Sequence, residues 1–341
     1  MSSRATPSAE AHSTVAAERG APGHVPPRLG TRIVRRAAGG RAQEALAGYL
    51  FIAPLIVVFG IYYAYAVFRS MWMSFTNYQF VLPQATRFIG LGNYIEAVKD
   101  PSVRHGFVVA GVFTVLNYLG AFLFPLLVAL VLDRVRNPRI GTLYRVLLYI
   151  PAVMPAPLIY RLWAWIFAPS LGLLNYAGYS LLGVFPRQFN WLAEPALILP
   201  SLIVIYWWWH LGLYTVFFLI GLAAIPEEFY EAARLDGANE LHIVRHVTLP
   251  LLRGTLMVWA ILLVSVFSVT EPMLVIWGGG GSFTGGGAVP TPAQTWGWYA
   301  YALGFLRGNL PMGYASAIGW LGALVMVAVA LGVRRLFTER D

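Results

Sequence analysis

Residues 195–226 read PALILPSLIVIYWWWHLGLYTVFFLIGLAAIP and contain no Asp, Glu, Lys or Arg. A helix needs about 20 apolar residues to cross the hydrocarbon core of a bilayer, and it satisfies its backbone hydrogen bonds internally. The stretch is long enough for one such helix. It therefore predicts a membrane-spanning segment, and the rest of the chain can be searched for others of the same kind.

Five further stretches along the chain are similarly poor in charged residues. Several contain prolines, among them Pro54, Pro125, Pro151 and Pro155, but neighbouring helices in a membrane can satisfy the carbonyls that a proline leaves free. We therefore expect these prolines to be tolerated inside the spans. The economical interpretation is an all-α polytopic membrane protein with six transmembrane helices, at residues 47–70, 106–132, 144–168, 196–223, 254–277 and 312–336.

The composition of the whole chain agrees with a membrane protein. Of its 341 residues, 58% are hydrophobic and only 11% are charged, whereas about a quarter of the residues in a soluble domain carry charge. The absence of cysteine excludes a disulfide scaffold, a thiol nucleophile and cysteine-ligated metal sites. The net charge of +9 is scattered between apolar runs, which favours anionic lipid headgroups over nucleic acid as its partner.

The basic residues are unevenly divided between the two sides of the membrane. If the amino terminus is cytoplasmic, the inner segments hold most of the arginines, as the positive-inside rule requires. We therefore expect both termini in the cytoplasm. Residues 1–44, rich in Ala, Gly, Pro, Ser and Arg, are interpreted as a disordered cytoplasmic tail. Residues 45–341 form the six-helix membrane domain, with an inner loop at 226–253.

That inner loop has the pattern of two short helices. Pro226 can start the first, and Glu227 and Glu228 in its first turn favour the positive end of the helix dipole. Gly237 can end or bend this helix because it tolerates a positive φ. Asn239 is a candidate N-cap for the second helix. The loop therefore predicts a helical hairpin between the fourth and fifth spans.

One face of the first short helix suits docking. Phe229, Ala232, Ala233 and Asp236 recur at three- and four-residue spacing, so small side chains share a face with an aromatic one. Small side chains allow a close approach, and Phe229 and Leu235 supply apolar contacts for a groove on a cytoplasmic partner. The alternative is an ordinary amphipathic helix on the headgroups, and composition alone favours that alternative.

Around Glu231-Ala232-Ala233, with Gly237 and Leu249-Pro250 downstream, the sequence resembles the EAA loop of binding-protein-dependent ABC-transporter permeases. The resemblance is strongest to their sugar-uptake branch, of the maltose and glycerol-3-phosphate permease type, and it covers nearly the whole chain after residue 45. It implies the six-helix permease fold, called MetI-like. Further matching motifs are 51–54, 74–78, 90–94, 149–151, 172–175, 278–281 and 313–317.

The resemblance implies a mechanism, with partners. In such permeases the EAA loop is a coupling helix seated in a cleft of the ATP-binding subunit, whose closure it transmits to the membrane helices. The implied partners are a second permease subunit, two ATP-binding cassette subunits that carry ATP and Mg, an extracytoplasmic solute-binding protein and a carbohydrate substrate. The implied location is the inner membrane of a bacterial or archaeal cell. The implied coupling residues are Glu231, Ala232, Ala233, Asp236, Gly237 and Pro250.

The sequence contains neither the motif needed to hydrolyse ATP nor a recognisable catalytic constellation. A phosphate-binding Walker A loop needs a Gly-Lys-Ser/Thr sequence, and the only lysine, Lys99, lies between Val98 and Asp100. We therefore expect no cofactor, no catalytic residue and no metal in this chain. His242 and His246 share a helix face, but Ile243 stands where a zinc protease has glutamate. A solvated face is the favoured interpretation of the two histidines.

Polar side chains within the spans are candidates for the substrate path, because burying them in a membrane is costly. Trp208, His210 and Tyr214 in the fourth span could form a platform for sugar rings, or they could simply pack or anchor the helix. Asn117 in the second span could donate to a substrate hydroxyl or to a neighbouring helix. The sequence leaves both alternatives open at each position.

Glu271 lies inside or near the outer end of the fifth span. It could line the path or stabilise an outer gate, or it could pair with Arg161 or Arg307, or reach the interface. The same two arginines could attract an anion, so a permease for another solute, such as a polyol phosphate, is the alternative within transport. From a different class, an intramembrane enzyme or a membrane scaffold would not require Gly237.

Overall fold

The computed structural model describes residues 30–135, 137–170, 172–184, 188–192, 194–268, 291–306 and 308–338. In chain order its helices are α1 (Gly30–Phe59), α2 (Tyr65–Ser74), α3 (Gly92–Lys99), α4 (Pro101–Asp133), α5 (Pro138–Val153), α6 (Ala156–Ile166), α7 (Leu173–Tyr176), α8 (Ile198–Ala223), α9 (Glu227–Leu235), α10 (Glu240–Ile243), α11 (Leu249–Leu251), α12 (Arg253–Leu263), α13 (Trp296–Phe305) and α14 (Met312–Thr338). Over the described ranges there is no β-strand, only one isolated bridge between Thr76 and Phe88. The predicted all-helical class is confirmed.

Four described helical segments are long and apolar enough to cross a membrane by themselves. They cover Glu44–Ser74, Pro101–Asp133, Ile198–Ala223 and Met312–Phe337. Two bent pairs bring the number to six if each pair is one span: α5 with α6, and the segment Glu240–Leu251 with Arg253–Ser268. The described part of the chain therefore holds four to six membrane-spanning segments.

The segment predicted as the third span, 144–168, is a bent pair of helices and not one straight helix. The chain bends by 95° between α5 and α6, and Met154 at the bend has an extended backbone, with ψ at 138°. The cause is Pro155, because a proline lacks the N–H of the helical ladder and drives the residue before it away from helical geometry. Pro54, Pro125 and Pro151 do lie inside helices, as expected.

The predicted fifth span, 254–277, is also not a simple helix. The segment containing α10 and α11 meets the segment that begins at Arg253 at an angle of 70°. Leu252, at the bend, is fully buried, so an apolar contact fixes the corner. The carboxyl end of this predicted span lies outside the described residues.

The chain divides into two compact units, residues 1–64 and 65–341. In the first unit α1 begins at Gly30, inside the segment predicted as a disordered tail, and residues 1–29 are outside the described part. The division of the chain at residue 44 stays a prediction. From Glu44 on, the side chains of this unit are largely exposed and apolar, with Phe51 at 90% exposure, which suits a helix surrounded by lipid.

In the second unit α4 packs along α8, and α8 also packs along α5. Glycines make these close approaches possible. Gly120 of α4 lies against the ring of Trp207, and Gly212 of α8 lies against the carbonyl oxygen of Leu148 in α5, so that a Cβ at either glycine would overlap its neighbour. Small residues at such crossings are what membrane helices use to bring backbones together.

Three short motifs, 74–78, 90–94 and 313–317, meet at the amino-terminal end of α4. The Nδ2 of Asn93 donates to the carbonyls of Ser74 and Thr76, both at 2.8 Å. The Gly313 N–H donates to the carbonyl of Tyr78 at 2.9 Å, and a Cβ on Gly313 would overlap the carbonyl oxygen of Thr76. These motifs therefore tie a loop to the start of the last long helix.

Candidate functional site

The predicted hairpin between α8 and α12 is present, and its first helix, α9, ends at the glycine that the sequence indicated. α9 begins after Pro226, with two glutamates in its first turn. Beyond its carboxyl end Gly237 has φ +80°. The N–H of Ala238 donates to the carbonyl of Ala233 at 3.0 Å, and that of Gly237 to Arg234 at 3.1 Å. This is a complete Schellman motif, which requires the left-handed residue that glycine supplies.

The second short helix also begins where the sequence predicted. The Oδ1 of Asn239 accepts a hydrogen bond from the His242 N–H at 2.8 Å, which satisfies a backbone donor that the first turn of a helix leaves unpaired. A five-residue π-helical turn, Val244–Thr248, joins α10 to α11. Pro250 lies in α11, directly before the 70° bend. The hairpin is therefore a capped, two-helix element.

The first helix of the hairpin is held away from the core. α9 has no buried residue, and its Leu235 is 88% exposed. Ala232 is exposed as well, and Phe229 is half-exposed. Exposed large apolar side chains beside small ones are typical of a surface that another protein covers. The arrangement of α9 can therefore accommodate a groove-forming partner at close range.

The second half of the hairpin is anchored to the membrane bundle. Ile243, Thr248 and Leu252 are buried. Between these anchors and the carboxyl end of α4 lies a cavity of about 560 Å³ with a polar lining. Across it the guanidinium of Arg134, at the end of α4, forms an ion pair with the carboxylate of Glu240. The hairpin is thus connected to α4 by one charged contact beside its apolar anchors.

We expect Arg134→Glu to loosen the hairpin, because it places a second carboxylate opposite Glu240. An exposed ion pair contributes about 0.2–1 kcal/mol, so hydrogen exchange of the backbone amides in 240–248 should rise by up to about fivefold. The combined change Arg134→Glu with Glu240→Arg should restore the slow exchange, since it re-forms the pair with its charges reversed.

Arg139→Glu is the matched control for this experiment. It makes the same charge change at an exposed position at the start of α5, outside the lining of the cavity. Equal exchange in the single and the double variants, or an equal effect of Arg139→Glu, would contradict the assigned contact.

The two histidines of the hairpin pack on each other. The rings of His242 and His246 are stacked with centroids 4.0 Å apart, and Nδ1 of His246 lies 3.1 Å from the carbonyl oxygen of His242. The ring nitrogen is therefore engaged with the backbone. Within the described ranges, no three His, Cys, Asp or Glu residues are grouped so that they could hold a metal ion.

The structure brings two of the predicted path residues together in α8. The ring of His210 lies between Tyr206 and Tyr214, with centroid separations of 4.0 and 5.7 Å. Its Nδ1 is 3.0 Å from the carbonyl oxygen of Tyr206. Trp208 instead meets Trp163 of α6 edge-on at 5.6 Å. A role of these rings in binding substrate stays a prediction.

Asn117 is fully buried in α4. Its Nδ2 donates to the carbonyl of Phe113 at 2.8 Å, whereas its Oδ1 is buried without a hydrogen-bond partner. A buried acceptor in this state is costly. The described donor contact of Asn117 is to its own helix, and donation to a substrate hydroxyl or to a neighbouring helix stays a prediction. Glu271 lies outside the described residues, and its assignment stays a prediction.

Sequence reasoning missed a set of polar residues at the amino-terminal end of α4. Asp100 is the N-cap of this helix, with its Oδ1 accepting from the Ser102 N–H at 2.7 Å. Its Oδ2 accepts from the hydroxyls of Tyr299 and Tyr314, at 3.0 and 2.9 Å. The local signal was available, because Asp followed by Pro marks a helix start. The tyrosines, about 200 residues away, carried no such signal.

The described chain has several apolar helices that can cross a membrane, and a helical hairpin between two of them. These features define a multi-pass membrane protein. Residues 121–340 match the model of a family described as "Binding-protein-dependent transport system inner membrane component". The chain belongs to this family, which confirms the resemblance found in the sequence. It is a permease component of an ABC transporter and not an enzyme.

Individual relatives agree with this family. The chain is 31% identical, over 70% of its length and 79% of the other protein, to the trehalose/maltose transport system permease protein MalF of Thermococcus litoralis. It is 29% identical, over 85% of its length and 88% of the other protein, to the arabinooligosaccharides transport system permease protein AraP of Bacillus subtilis. Both are named as permeases of saccharide transport systems.

A solved structure shares the fold. A chain of a bacterial ABC transporter involved in the import of the acidic polysaccharide alginate superposes with a TM-score of 0.74 at 20% identity. The match covers 90% of this chain and 99% of the other. The shared fold therefore extends beyond residues 121–340, the part of this chain that the family model covers.

Proposed function

We propose that this chain is one permease subunit of an ATP-driven importer for a sugar or oligosaccharide. The names of the relatives support the substrate class, and the family description supports a binding protein as the donor of the substrate. With six spans, the chain forms half of a translocation pathway, and a second permease subunit supplies the other half. The inner membrane of a bacterial or archaeal cell is its location.

The observation that carries the coupling role is the exposure of α9, which has no buried residue. An amphipathic helix that buries nothing in its own chain suits the groove of another protein. Glu231 makes the polar contact, Ala232 and Ala233 allow the close approach, and Asp236 and Gly237 form the turn behind them. Pro250 lies in α11, immediately before the bend into α12, where a displacement of the hairpin reaches the membrane.

ATP and Mg belong to two separate ATP-binding cassette subunits in this proposal. The chain has no Walker A sequence, and α9 lies on the cytoplasmic side when both termini are cytoplasmic. Closing of the two ATPase subunits then moves the two hairpins, and Arg134 with Glu240 passes part of this movement to α4. The nucleotide chemistry occurs on the partners, while this chain supplies the path and the docking element.

The test is uptake by the reconstituted complex. Proteoliposomes that contain both permease subunits and the ATPase should accumulate a neutral disaccharide only when ATP is inside and the binding protein outside. A panel of maltose, trehalose, arabinobiose and glycerol 3-phosphate identifies the substrate class, and liposomes with this chain alone should show no uptake. Transport by the single chain without ATP, at the rate of the complex, would contradict the proposal, as would uptake of the phosphate alone.

A further inference from the structure

A cavity of about 400 Å³ lies at the amino-terminal end of α4, where the three motifs meet. It is enclosed by the segment after α2, by α3, and by the chain between α13 and α14. The coupling hairpin is at the opposite end of the same helix, whose 33 residues extend about 50 Å. In the proposed orientation the cavity therefore opens on the outer side of the membrane.

Hydrogen bonds connect three residues in one wall of this cavity. Tyr299 of α13 and Tyr314 of α14 both donate to one carboxylate oxygen of Asp100. Burial raises the pKa of Asp100, but hydrogen bonds from Tyr314, the Ser102 N–H and Tyr299 outweigh it and hold the pKa below its ordinary value. The carboxylate is thus ionised at neutral pH and orients both phenols. The hydroxyl oxygen of Tyr314 keeps acceptor capacity for a further donor.

The other walls supply the groups that recognise hydroxyls. The side-chain amides of Gln79 and Asn309 offer donors and acceptors, and the carboxylate of Glu96 offers acceptors. Asn77 offers its amide donors, since its Oδ1 already accepts from the Arg87 N–H at 2.6 Å. Tyr78 adds an aromatic ring to the lining. Rings with polar groups placed at their edges bind sugars, because the C–H face of a sugar packs on the ring while its hydroxyls take hydrogen bonds.

The volume of the cavity and the charge of its lining restrict the class of ligand further. Small-molecule sites have volumes of about 300–1,000 Å³, so this cavity has room for one or two sugar rings and not for a long chain. Its lining contains two carboxylates and, among the described residues, no lysine or arginine. The guanidinium of Arg69 lies over the ring of one lining residue, Tyr78, 5.4 Å from its centroid, and offsets part of this negative charge. The remaining negative charge favours a neutral saccharide over a phosphorylated or acidic one.

We infer that this cavity, lined by Gln79, Asn309 and the Asp100-oriented tyrosines, is an outer subsite for a neutral saccharide unit. The inference rests on the proposed function. The subsite is separate from Asn117 and His210, which lie within the spans, and it receives a sugar at the outer surface before transfer into the membrane path. Concave shape and polar lining favour a small ligand over a protein segment in this place.

The test uses the complete transporter in nanodiscs and saturation-transfer NMR with maltose, trehalose and glucose 6-phosphate as probes. Gln79→Trp fills the cavity, and we expect it to reduce the transfer to maltose or trehalose protons at least fivefold. Asn309→Ala removes an exposed polar group, so the fold is preserved, and it should reduce the signal about threefold. Glucose 6-phosphate should give a weaker signal than the neutral sugars in the unmodified complex.

Gln84→Trp is the matched control, since Gln84 is exposed in the same outer segment but does not line the cavity. It should leave the signal unchanged. Equal signals from Gln79→Trp, Asn309→Ala and the unmodified complex would overturn the subsite while carbohydrate uptake by that complex still supports the proposed function. An unchanged sugar signal with weaker binding of the sugar-free binding protein to Gln79→Trp would assign the cavity to protein docking and also overturn it. Failure of the unmodified complex to import any carbohydrate would count against the proposed function itself.

Discussion

Ala232→Trp is expected to abolish ATP-dependent uptake and to weaken the association of this chain with its ATPase subunits at least tenfold. Ala232 lies on α9, which buries no residue in its own chain, so the bulky ring can extend into solvent and the fold of the subunit is retained. In the complex the same ring occupies the space that a partner backbone needs. A tenfold loss corresponds to about 1.4 kcal/mol, a modest requirement for a residue at the centre of a docked helix.

Co-purification of the ATPase from detergent, followed by uptake in proteoliposomes, measures this effect. Ala224→Trp is the control, because Ala224 is also exposed, directly after α8, but lies outside α9. It should retain both association and uptake. If Ala232→Trp retained them as well, α9 would not be the docking helix, and the amphipathic helix on lipid headgroups would be the better interpretation.

The hairpin was predictable because its determinants are local. Pro226, the glutamates after it, Gly237 and Asn239 each act on backbone groups within five residues, and the structure places all of them in the predicted roles. The sequence also indicated which stretches are apolar enough to cross a membrane, and four of them are long helices. Apolar stretches and helix caps are both determined by residues close together in the chain, so they can be predicted from a single sequence.

The bends and the outer cavity were harder to predict. Pro155 was visible, but whether a membrane helix absorbs a proline or breaks at it depends on the helices packed around it, and those contacts are not local. The same holds for Asp100, whose hydroxyl donors are contributed by α13 and α14. The sequence pattern at Asp100 identifies the start of a helix. It does not identify the two distant tyrosines that bind Asp100 in the wall of the outer cavity.

Gly106 illustrates a contact of this long-range kind. It lies on α4, and a Cβ at this position would be 2.7 Å from the backbone nitrogen of Trp296 and 2.9 Å from its Cα, at the start of α13. Trp296 is itself fixed, since its Nε1 donates to the carbonyl of Phe267 at 2.9 Å and its ring stacks on Phe107. The atoms nearest to the added Cβ belong to the backbone of Trp296, and the indole of that residue is held by its own contacts. A side chain at position 106 can therefore be accommodated only if α13 moves.

Gly106→Val is therefore expected to prevent the packing of α13 on α4 and to reduce the yield of monodisperse subunit at least tenfold. Overpacking costs about 1–3 kcal/mol where side chains can adjust, and here the neighbour is backbone. Gly111→Val is the control, because the same helix carries the same new side chain where no atom lies within 4 Å of the added Cβ. Helix propensity changes equally in the two variants, so only the contact with α13 separates them. Size-exclusion chromatography in detergent measures the yield, and equal profiles would mean that α13 does not pack on Gly106 as the structure describes.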